Sequence, residues 1–409
     1  MLTGVVVTLL AVSALRGASA LRNQRAFWRN ARAKLAASPT GYARKASVVA
    51  PVKGIDPDFQ ATLRGLLAQH YGAPYELLFV VEDERDPAFA AIHAAHTEAV
   101  TSGTCRASHV EVIVAGLCVD RGQKVHNQTE ALKRAAADVE IFAFVDSDGR
   151  PDPDWLASLV EPLARDDVGV ATGFRWYVPI RGGFASSMAS LWNAMAVTLI
   201  GGERRAFAWG GAMAMRRETF ARAKVDEHWR GSVSDDGAVS MAVKRAGLGI
   251  AFVPKCLVPS LHDFTLASLW EFVVRQYVVL RVYTPHLHRL ALISMMLSVT
   301  GFAGGVVMSV AGIVAHSPVW IVIALTALVY VLNVALGAVR YANARAALPA
   351  HGDALAKTRG VYLFAGPLAW GLNLAALAAS SVRRTLVWRG IRYELRTAHD
   401  LVIERPPRP

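Results

Sequence analysis

Cysteine is scarce in this sequence, whose 409 residues include only Cys105, Cys118 and Cys256. Their scattered positions exclude a disulfide framework and a CxxC metal site, since both need cysteines in sets at short intervals. Free cysteine is among the most frequently buried residue types. We therefore expect inert, buried thiols, and nothing in the cysteine pattern requires an oxidising compartment.

Charged side chains are also under-represented, at 19% of the residues against a hydrophobic share of 53%. Soluble domains carry about 25% charged residues. The apolar excess lies in a short N-terminal stretch and in three segments that follow residue 289. The region between them has an ordinary globular composition, so the sequence predicts a membrane protein with a large water-exposed domain.

Acidic residues are absent from the stretch between the first apolar segment and residue 45. This stretch carries the cations Arg22, Arg25, Arg29, Arg32, Lys34, Arg44 and Lys45. Basic residues beside a membrane span are retained in the cytoplasm and attracted to anionic lipid heads. No nucleic-acid-binding motif accompanies the net charge of +12, so we predict contact with the lipid bilayer and no nucleic-acid partner.

The first apolar stretch, residues 1–21, predicts an N-terminal membrane anchor. Because Ala18-Ser19-Ala20 resembles a cleavage site, a signal peptide is the alternative. The stretch lacks a positively charged start, however, and Arg16 lies before that site. A retained anchor, completed by the apolar residues up to Leu21, is therefore the favoured interpretation, although it is short against the about 20 residues that a bilayer span normally takes.

Further membrane elements are predicted after the water-exposed domain. An amphipathic interfacial helix over residues 265–288 precedes a transmembrane hairpin over residues 289–339, which turns at His316-Ser317-Pro318. The third C-terminal segment, residues 361–381, is interrupted by Gly366-Pro367. Such a break permits a re-entrant helix.

The basic tail of residues 382–409 is predicted to lie in the cytoplasm, because positively charged flanks are retained there. The same rule predicts that the water-exposed domain is cytoplasmic. The tail and the water-exposed domain can both be cytoplasmic only if the segment at 361–381 returns to the side of the membrane from which it enters. We therefore expect an integral protein of a bacterial inner membrane or an equivalent membrane.

Residues 46–264 alternate short apolar runs with helical stretches. The predicted strands cover residues 47–52, 75–81, 109–115 and 141–145. Asp56-Pro57 and Asp86-Pro87 each predict a helix start, with an aspartate cap and proline in the first turn. The alternation predicts an α/β domain with a mainly parallel, Rossmann-like sheet. Since ligands bind beyond the carboxyl ends of parallel strands, the residues there are candidates for a site.

Asp146-Ser147-Asp148 directly follows the strand at 141–145. Two carboxylates spaced i, i+2 at a strand end can face one hard cation, and Mg²⁺ or Mn²⁺ prefers oxygen ligands that it shares with phosphates. Such a cation would offset the charge on a leaving nucleoside diphosphate. The alternative is a solvated turn, but a second acidic strand end at Asp83 favours the site.

Glu82 and Asp83 follow the strand at 75–81. A carboxylate at Asp83 could accept hydrogen bonds from a uracil N–H or from ribose hydroxyls. Glu82 could share this nucleotide site or be solvated. Asp86 is the rival acid, but its position before Pro87 better suits a helix cap.

Asp235 and Asp236 lead into a predicted helix at 237–246. In one interpretation Asp236 is the general base that takes a proton from the acceptor hydroxyl. Repulsion from Asp235 would raise one of the two pKa values and assist that role. In the alternative, Asp235 is a helix N-cap with a solvated neighbour.

Two further segments carry candidate binding residues. Lys124 and Asn127, three apart at a predicted helix start, would share a face, with Lys124 on phosphate and Asn127 on the nucleotide; the alternative is a solvated lysine. Arg275, in an aromatic and basic segment before the membrane hairpin, could reach either the diphosphate or lipid head groups.

In this order and spacing, these motifs resemble an inverting family-2-type membrane glycosyltransferase of the ceramide glucosyltransferase-like branch. The resemblance covers residues 46–290 and, more loosely, the membrane layout. It also includes Pro51-Val52-Lys53-Gly54 and Trp388-Arg389-Gly390. It implies a GT-A fold, a UDP-sugar donor and a divalent cation, Mg²⁺ or Mn²⁺.

The resemblance also implies residue roles. Asp83, with Lys53 and Glu82, is expected to hold the nucleotide. Asp146 and Asp148 are expected at the diphosphate and metal site, with Asp148 the principal ligand. Asp236, beside Asp235, is the expected catalytic base. The implied reaction is a single displacement with inversion, which gives a β-glycoside from an α-linked donor.

One departure from the family pattern bears on the product. The usual (Q/R)xxRW motif is reduced here to Arg275-Gln276-Tyr277-Val278-Val279, and Arg281 is a candidate replacement cation. Processive synthases depend on the missing Trp, so we predict transfer of a single sugar, foremost glucose, to a lipid hydroxyl such as that of ceramide. A processive polysaccharide synthase and a non-catalytic nucleotide-binding scaffold are the alternatives.

Overall fold

The computed structural model describes residues 2–37, 41–56 and 58–405. The strands are β1 (Ala46–Pro51), β2 (Tyr75–Val81), β3 (His109–Val114), β4 (Ile141–Val145), β5 (Val168–Val178), β6 (Ala212–Arg216), β7 (Gly249–Leu261), β8 (Thr385–Trp388), β9 (Ile391–Thr397) and β10 (Asp400–Glu404). The helices are α1 (Leu2–Ala36), α2 (Phe59–Leu67), α3 (Pro87–Thr101), α4 (Gln123–Arg134), α5 (Trp155–Val160), α6 (Phe184–Ala196), α7 (Arg217–Arg222), α8 (Val225–Trp229), α9 (Asp235–Arg245), α10 (Leu266–Tyr283), α11 (Pro285–Val314), α12 (Trp320–Ala347), α13 (Gly352–Ala356), α14 (Arg359–Phe364) and α15 (Gly366–Val382).

The chain divides into two compact units. The sheet unit consists of Ala31–Trp176, Leu199–Ser260 and Arg384–Pro409. The helical unit consists of Met1–Asn30, Tyr177–Thr198 and Leu261–Arg383.

The sheet unit is built on a seven-stranded sheet with the order β3-β2-β1-β4-β6-β5-β7. β1 pairs in parallel with β2 and β4, and β2 pairs in parallel with β3. β6 is antiparallel to both β4 and β5. The predicted α/β fold with a mainly parallel sheet is therefore confirmed, and β2 and β4 occupy the residues that were predicted for them.

The parallel strands form the centre of the hydrophobic core. Every residue of β2 and β4 is buried, which is typical of strands covered on both faces. Val48 and Leu77 share a cluster with Leu63 of α2, Ile92 of α3 and Trp155 of α5. The core thus fixes the carboxyl ends of β1, β2 and β4, from which the candidate site is built.

The predicted basic tail folds, up to residue 404, into a second, antiparallel sheet with the order β10-β9-β8. Ile391, Tyr393 and Leu395 of β9 are buried, whereas the residues between them are more exposed. This alternation is the sequence signal of a strand with one covered face. The side of the membrane on which this segment lies remains a prediction.

The helical unit contains long apolar helices. In the described part of the chain, Thr3–Ala36, Pro285–Val314 and Trp320–Ala347 are long and apolar enough to cross a membrane. α1 is one continuous helix that runs past the predicted anchor end at residue 21. Gly301 lies against it, since an added Cβ there would be 2.9 Å from the Cβ of Leu9; small residues permit such close helix packing.

The boundary before the hairpin differs from the prediction. Thr265 caps α10 through a capping box with Ser268, and the helix ends at Tyr283. α11 begins at Pro285 rather than at residue 289, because proline is accepted in a first helical turn but not in a helix interior.

The last apolar segment is broken between α14 and α15, where Gly366-Pro367 predicted a break. Gly366 packs closely against α12 here, because an added Cβ would overlap the side-chain amide of Asn333 unless that side chain moved. α15 has 17 residues, which span about 25 Å against a hydrocarbon thickness of about 30 Å. Its return to the side of entry remains a prediction.

Candidate active site

An ion pair connects the loops that follow β1 and β2. Because β1 lies between β2 and β4 in the parallel part of the sheet, the segments that follow these strands share one edge. The Lys53 ammonium, after β1, lies 2.9 Å from a carboxylate oxygen of Glu82, after β2. Asp83 accepts hydrogen bonds from the backbone N–H and the guanidinium of Arg85.

Asp86 has the capping role that the sequence favours for it. Its side chain accepts a hydrogen bond from the backbone N–H of Ala88 in the first turn of α3. The same carboxylate accepts a bond from Gly54 N, at 3.0 Å. It therefore fastens the loop after β1 to the start of α3.

The predicted cap at Asp56 is wrong. α2 begins at Phe59, with Asp58 in the N-cap position and no side-chain capping bond; Pro57 lies outside the described residues. Asp56 instead accepts a hydrogen bond of 2.9 Å from the hydroxyl of Ser147. Its side chain thus belongs to the surroundings of the Asp-Ser-Asp loop.

Arg175, on β5, contacts both acids of that loop. Its guanidinium nitrogens lie 3.1 Å from an oxygen of Asp146 and 2.9 Å from an oxygen of Asp148. The guanidinium carbon lies 5.3 Å from the ring centroid of Trp209. We did not predict Arg175, although a lone cation in an otherwise uncharged, buried strand was a usable signal.

Lys124 connects the Asp-Ser-Asp loop to the second acidic pair. Its ammonium lies 2.7 Å from Asp146 and 3.0 Å from Asp235, and its side chain is 15% exposed. Gly122, just before α4, makes this reach possible, because an added Cβ would be 2.9 Å from the Cα of Val233. Lys124 is therefore a bridge between carboxylates rather than a solvated lysine.

Ser234, and not Asp235, caps α9, since its hydroxyl accepts a bond from Gly237 N. The capping alternative for Asp235 is wrong for this reason. Asp235 is buried, and its carboxylate accepts a 2.8 Å bond from the amide of Gln128. Asp236 is partly exposed and accepts bonds from the backbone N–H groups of Gly210 and Gly237, at 3.0 and 2.7 Å.

The charges divide these acids into two kinds. Burial opposes ionisation of Asp146, yet Lys124 and Arg175 hold the pKa of its carboxyl below the ordinary value. Burial and the neighbouring Asp235 carboxylate raise the pKa of Asp236 above the ordinary value. Burial would lower the pKa of Lys124, but the surrounding carboxylates raise it. The cluster thus combines a firmly ionised acid with one of higher proton affinity.

The sequence profile of Glycosyl transferase family 21 matches residues 5–401, a range that includes every residue of this cluster. The chain belongs to glycosyl transferase family 21. This is the ceramide glucosyltransferase family, and the enzyme transfers a sugar from a nucleotide-sugar donor. No curated protein sequence matches the chain significantly.

Solved structures similar to this family-21 enzyme include the mannosyltransferase PcManGT from Pyrobaculum calidifontis in complex with GDP-Man and Mn²⁺. The chains are 18% identical with a TM-score of 0.48, over 93% of this chain and 98% of that one. Glucosyl-3-phosphoglycerate synthase from Mycobacterium tuberculosis, in complex with Mn²⁺, UDP-Glc and phosphoglyceric acid, is 17% identical with a TM-score of 0.39, over 59% and 79% of the chains. The GT-A fold of the family-21 enzyme follows from its family membership and strand order.

Asp146 and Asp148 fit the oxygen-donor set of a divalent cation. In the part of the chain that the structure describes, no group of three or more His, Cys, Asp or Glu side chains is arranged to hold a metal. The two carboxylates would leave positions for phosphate oxygens and water, as is usual for Mg²⁺. The acids of this cluster are Asp56, Asp146, Asp148, Asp235 and Asp236, and its cations are Lys124, Arg175 and Arg389.

Asn127 lies on α4, behind the end of β2. Its side chain is buried and lies 2.8 Å from the amide of Gln123 and 3.5 Å from the carbonyl oxygen of Val80. It thereby supports the end of β2, which leads into Glu82 and Asp83. Its contact with a nucleotide remains a prediction.

Arg275 and Arg281 both lie on α10 of the helical unit. The guanidinium carbon of Arg275 lies 5.8 Å from the ring centroid of Phe272, and its role at a diphosphate remains a prediction. Arg281 donates to the carbonyl oxygens of Ser381 and Arg383 at the end of α15. Cations commonly cap a helix C-terminus in this way, so Arg281 has a structural use within this unit.

Proposed function

We propose that this family-21 enzyme transfers a single glucose from UDP-glucose to the hydroxyl of a membrane lipid such as ceramide. The observation that carries the proposal is the Lys124 bridge between Asp146 and Asp235. It joins the loop suited to a diphosphate to the acid pair suited to an acceptor hydroxyl. Two reactants held on either side of this bridge would meet at one anomeric carbon, and such positioning supplies much of the rate enhancement of transferases.

Asp236 is the proposed general base. Backbone N–H groups hold its carboxylate, and a raised pKa suits an acid that must accept a proton near neutral pH. The acceptor oxygen attacks the anomeric carbon from the face opposite UDP, and its proton passes to Asp236. The bond from that carbon to the diphosphate oxygen breaks, and its electron pair leaves with UDP. Asp235 positions this base.

The diphosphate is assigned to the Asp-Ser-Asp loop. Asp148, with Asp146, is proposed to hold Mg²⁺ or Mn²⁺, which when bound would neutralise charge on the leaving group. Arg175 and Lys124 contact these acids and are the proposed cations for phosphate oxygens. Arg275 retains its proposed role at the diphosphate.

The nucleoside is assigned to the loop after β2. Asp83 is proposed to accept hydrogen bonds from the uracil N–H or the ribose. The ion pair of Lys53 and Glu82 shapes the adjoining wall, and Asn127 supports it from below. These residues all belong to the proposed catalytic domain at 46–264.

A lipid acceptor and a membrane location are supported by the three long apolar helices. The acid-free basic stretch after residue 21 supports a cytoplasmic catalytic domain. The lack of an Arg-Trp pair at residues 278–279 supports transfer of one sugar rather than chain elongation.

The test is transfer by the purified full chain, reconstituted in lipid nanodiscs. It is incubated with UDP-glucose, UDP-galactose or GDP-mannose, a membrane lipid extract and Mg²⁺ or Mn²⁺, and new lipids are identified by mass spectrometry. We expect one hexose added to a lipid hydroxyl. Asp236→Asn should abolish transfer, whereas Asp226→Asn, at an exposed position on α8, is the matched control and should not.

The other outcomes separate the alternatives. A ladder of oligosaccharides would favour a processive synthase. Failure of the wild-type chain to bind any nucleoside diphosphate with a divalent cation would favour a scaffold. Full activity of Asp236→Asn would remove Asp236 as the base.

A further inference from the structure

The turn between β8 and β9 holds an arginine in a conformation that arginine disfavours. Arg389 has a φ of +49° and Gly390 a φ of +79°, and the two residues link the paired Trp388 and Ile391. Two-residue hairpin loops with positive φ at both positions prefer Asn-Gly or Asp-Gly. Residues held in such conformations concentrate at functional sites, so the side chain of Arg389 requires an explanation.

The C-terminal sheet is anchored on the start of α4. The backbone N–H of Gln123 donates to the Tyr393 hydroxyl at 3.1 Å. Arg405 donates to the carbonyl oxygen of Cys118 at 2.7 Å and to the side chain of Gln123 at 2.6 Å. These bonds fix the hairpin beside the helix that carries Lys124.

The tip of the hairpin contacts residues of the active-site cluster. One guanidinium nitrogen of Arg389 lies 2.9 and 2.8 Å from the two carboxylate oxygens of Asp56. Asp56 also accepts a hydrogen bond from the hydroxyl of Ser147. The ring centroid of Trp388 lies 5.9 Å from the ammonium of Lys124. The hairpin thus reaches the loop assigned to the diphosphate from a second side.

Arg389 has binding capacity beyond its contact with Asp56. Its side chain is 42% exposed, against 12% for Asp56. Within the described residues, both hydrogen bonds of Arg389 come from a single nitrogen, Nη2, although a guanidinium carries five N–H donors in a planar fork. The remaining donors can bind a phosphate oxygen while the bond to Asp56 persists.

We propose that the hairpin tip, residues 388–390, is part of the donor site, where Arg389 binds the diphosphate of the nucleotide-sugar and Trp388 forms a wall beside Lys124. This inference rests on the proposed function for the nature of the donor. It assigns to the C-terminal sheet a direct part in substrate binding.

Arg389→Asn is the decisive variant, because asparagine tolerates positive φ and removes the cation. We expect the thermal midpoint of the full chain to stay unchanged or rise. Binding of UDP with Mn²⁺, measured by titration calorimetry, should weaken about ten- to a hundredfold, the range for one charge-assisted hydrogen bond. Arg392→Asn is the matched control: Arg392 lies on β9, is exposed and pairs with Glu404, and its loss should leave binding unchanged.

Arg389→Lys supplies a second readout. It retains the charge without the planar fork, so binding should lie between that of the wild type and that of Arg389→Asn. Equal UDP affinity in wild type and Arg389→Asn would overturn the inference and leave the proposed function standing. A lower thermal midpoint together with lost binding would also overturn it, since Arg389 would then act only as a latch on Asp56. A wild-type chain that binds no nucleotide would refute the proposed function as well.

Discussion

Replacing Lys124 with methionine tests whether the bridge between the two acid pairs organises the active site. Methionine keeps most of the volume and the flexible stem of lysine but removes the ammonium that lies between Asp146 and Asp235. The bridge is well shielded, since the side-chain exposure is 15% for Lys124 and 1% for Asp235. The two carboxylates would lose a shared partner in a place where water compensates poorly.

The expected effect on stability is large. Removing one partner of a buried ion pair typically costs about 3–5 kcal/mol. Asp146 would retain Arg175, and Asp235 would retain Gln128, so we expect the lower end, about 3 kcal/mol. For a domain of this size, 1 kcal/mol shifts the thermal midpoint by about 2–4 °C. Lys124→Met should therefore melt roughly 6–12 °C below the wild type at neutral pH.

The variant should also change the pH dependence of stability. In the wild type the pKa of Asp146 is lowered on folding, so its contribution is present above the unfolded pKa and is lost as the pH falls through the folded pKa. Without the ammonium, only Arg175 opposes the effect of burial on the Asp146 carboxyl, so the folded pKa of that carboxyl should be higher than in the wild type. The stability difference between the wild type and the variant should therefore be largest at neutral pH and shrink as the pH falls from about 7 towards 3.

The assay is differential scanning fluorimetry of the detergent-solubilised full chain across this pH range, together with sugar transfer. Lys133→Met is the matched control, because Lys133 lies on the same helix, is exposed and pairs with Glu130. Asp235→Asn in the Lys124→Met background should restore part of the lost stability. A Lys124→Met chain with the wild-type midpoint and the wild-type pH dependence would refute the reasoning.

Three further predictions concern activity. Arg175→Gln should lower the turnover number about 10²- to 10³-fold at saturating donor, the usual loss when a preorganised group at developing charge is removed; an unchanged turnover number would exclude Arg175 from the diphosphate site. Because burial and Asp235 raise the pKa of Asp236, kcat/KM should rise with pH through an ionisation above the usual carboxyl range. Asp235→Asn should move this ionisation to lower pH, and an unmoved pH profile would exclude an effect of Asp235 on the pKa of Asp236. Gly210→Ala should abolish transfer, since the added Cβ would overlap the Asp235 carboxylate, whereas Gly202→Ala, with open space around it, should remain active.

The parts of the fold that the sequence predicted are those governed by local pattern. β2 and β4 occupy the predicted residues because both are short, uninterrupted apolar runs that a buried parallel strand requires. Asp86 was correctly interpreted because a cap and a first-turn proline act over a few residues. Asp56 has the same local pattern, yet its partner Ser147 lies 91 residues away. Local pattern cannot reveal a tertiary partner that overrides it.

The contacts that assemble the site have the same long range. The amide of Gln128 reaches Asp235 across 107 residues, and Arg389 reaches Asp56 across 333. The pairing of such segments depends on strand order and on the C-terminal sheet, neither of which is encoded in spacing. Arg175 was missed although its isolation in an apolar strand was visible. A charged residue in a buried strand should therefore be treated as a site candidate whenever acidic strand ends are nearby in the fold.

The different surroundings of Asp235 and Asp236 support different roles for these adjacent carboxylates in the proposed reaction. Asp235 is buried between the Lys124 ammonium and the Gln128 amide, so its charge is compensated and it acts as a fixed anchor. Asp236 is held by backbone N–H groups and, unlike Asp235, remains partly exposed. Because the negative charge of Asp235 raises the pKa of Asp236, Asp235 would tune the proposed base without contacting the acceptor. Neutralising Asp235 should therefore impair proton acceptance by Asp236 even where the geometry of α9 is preserved.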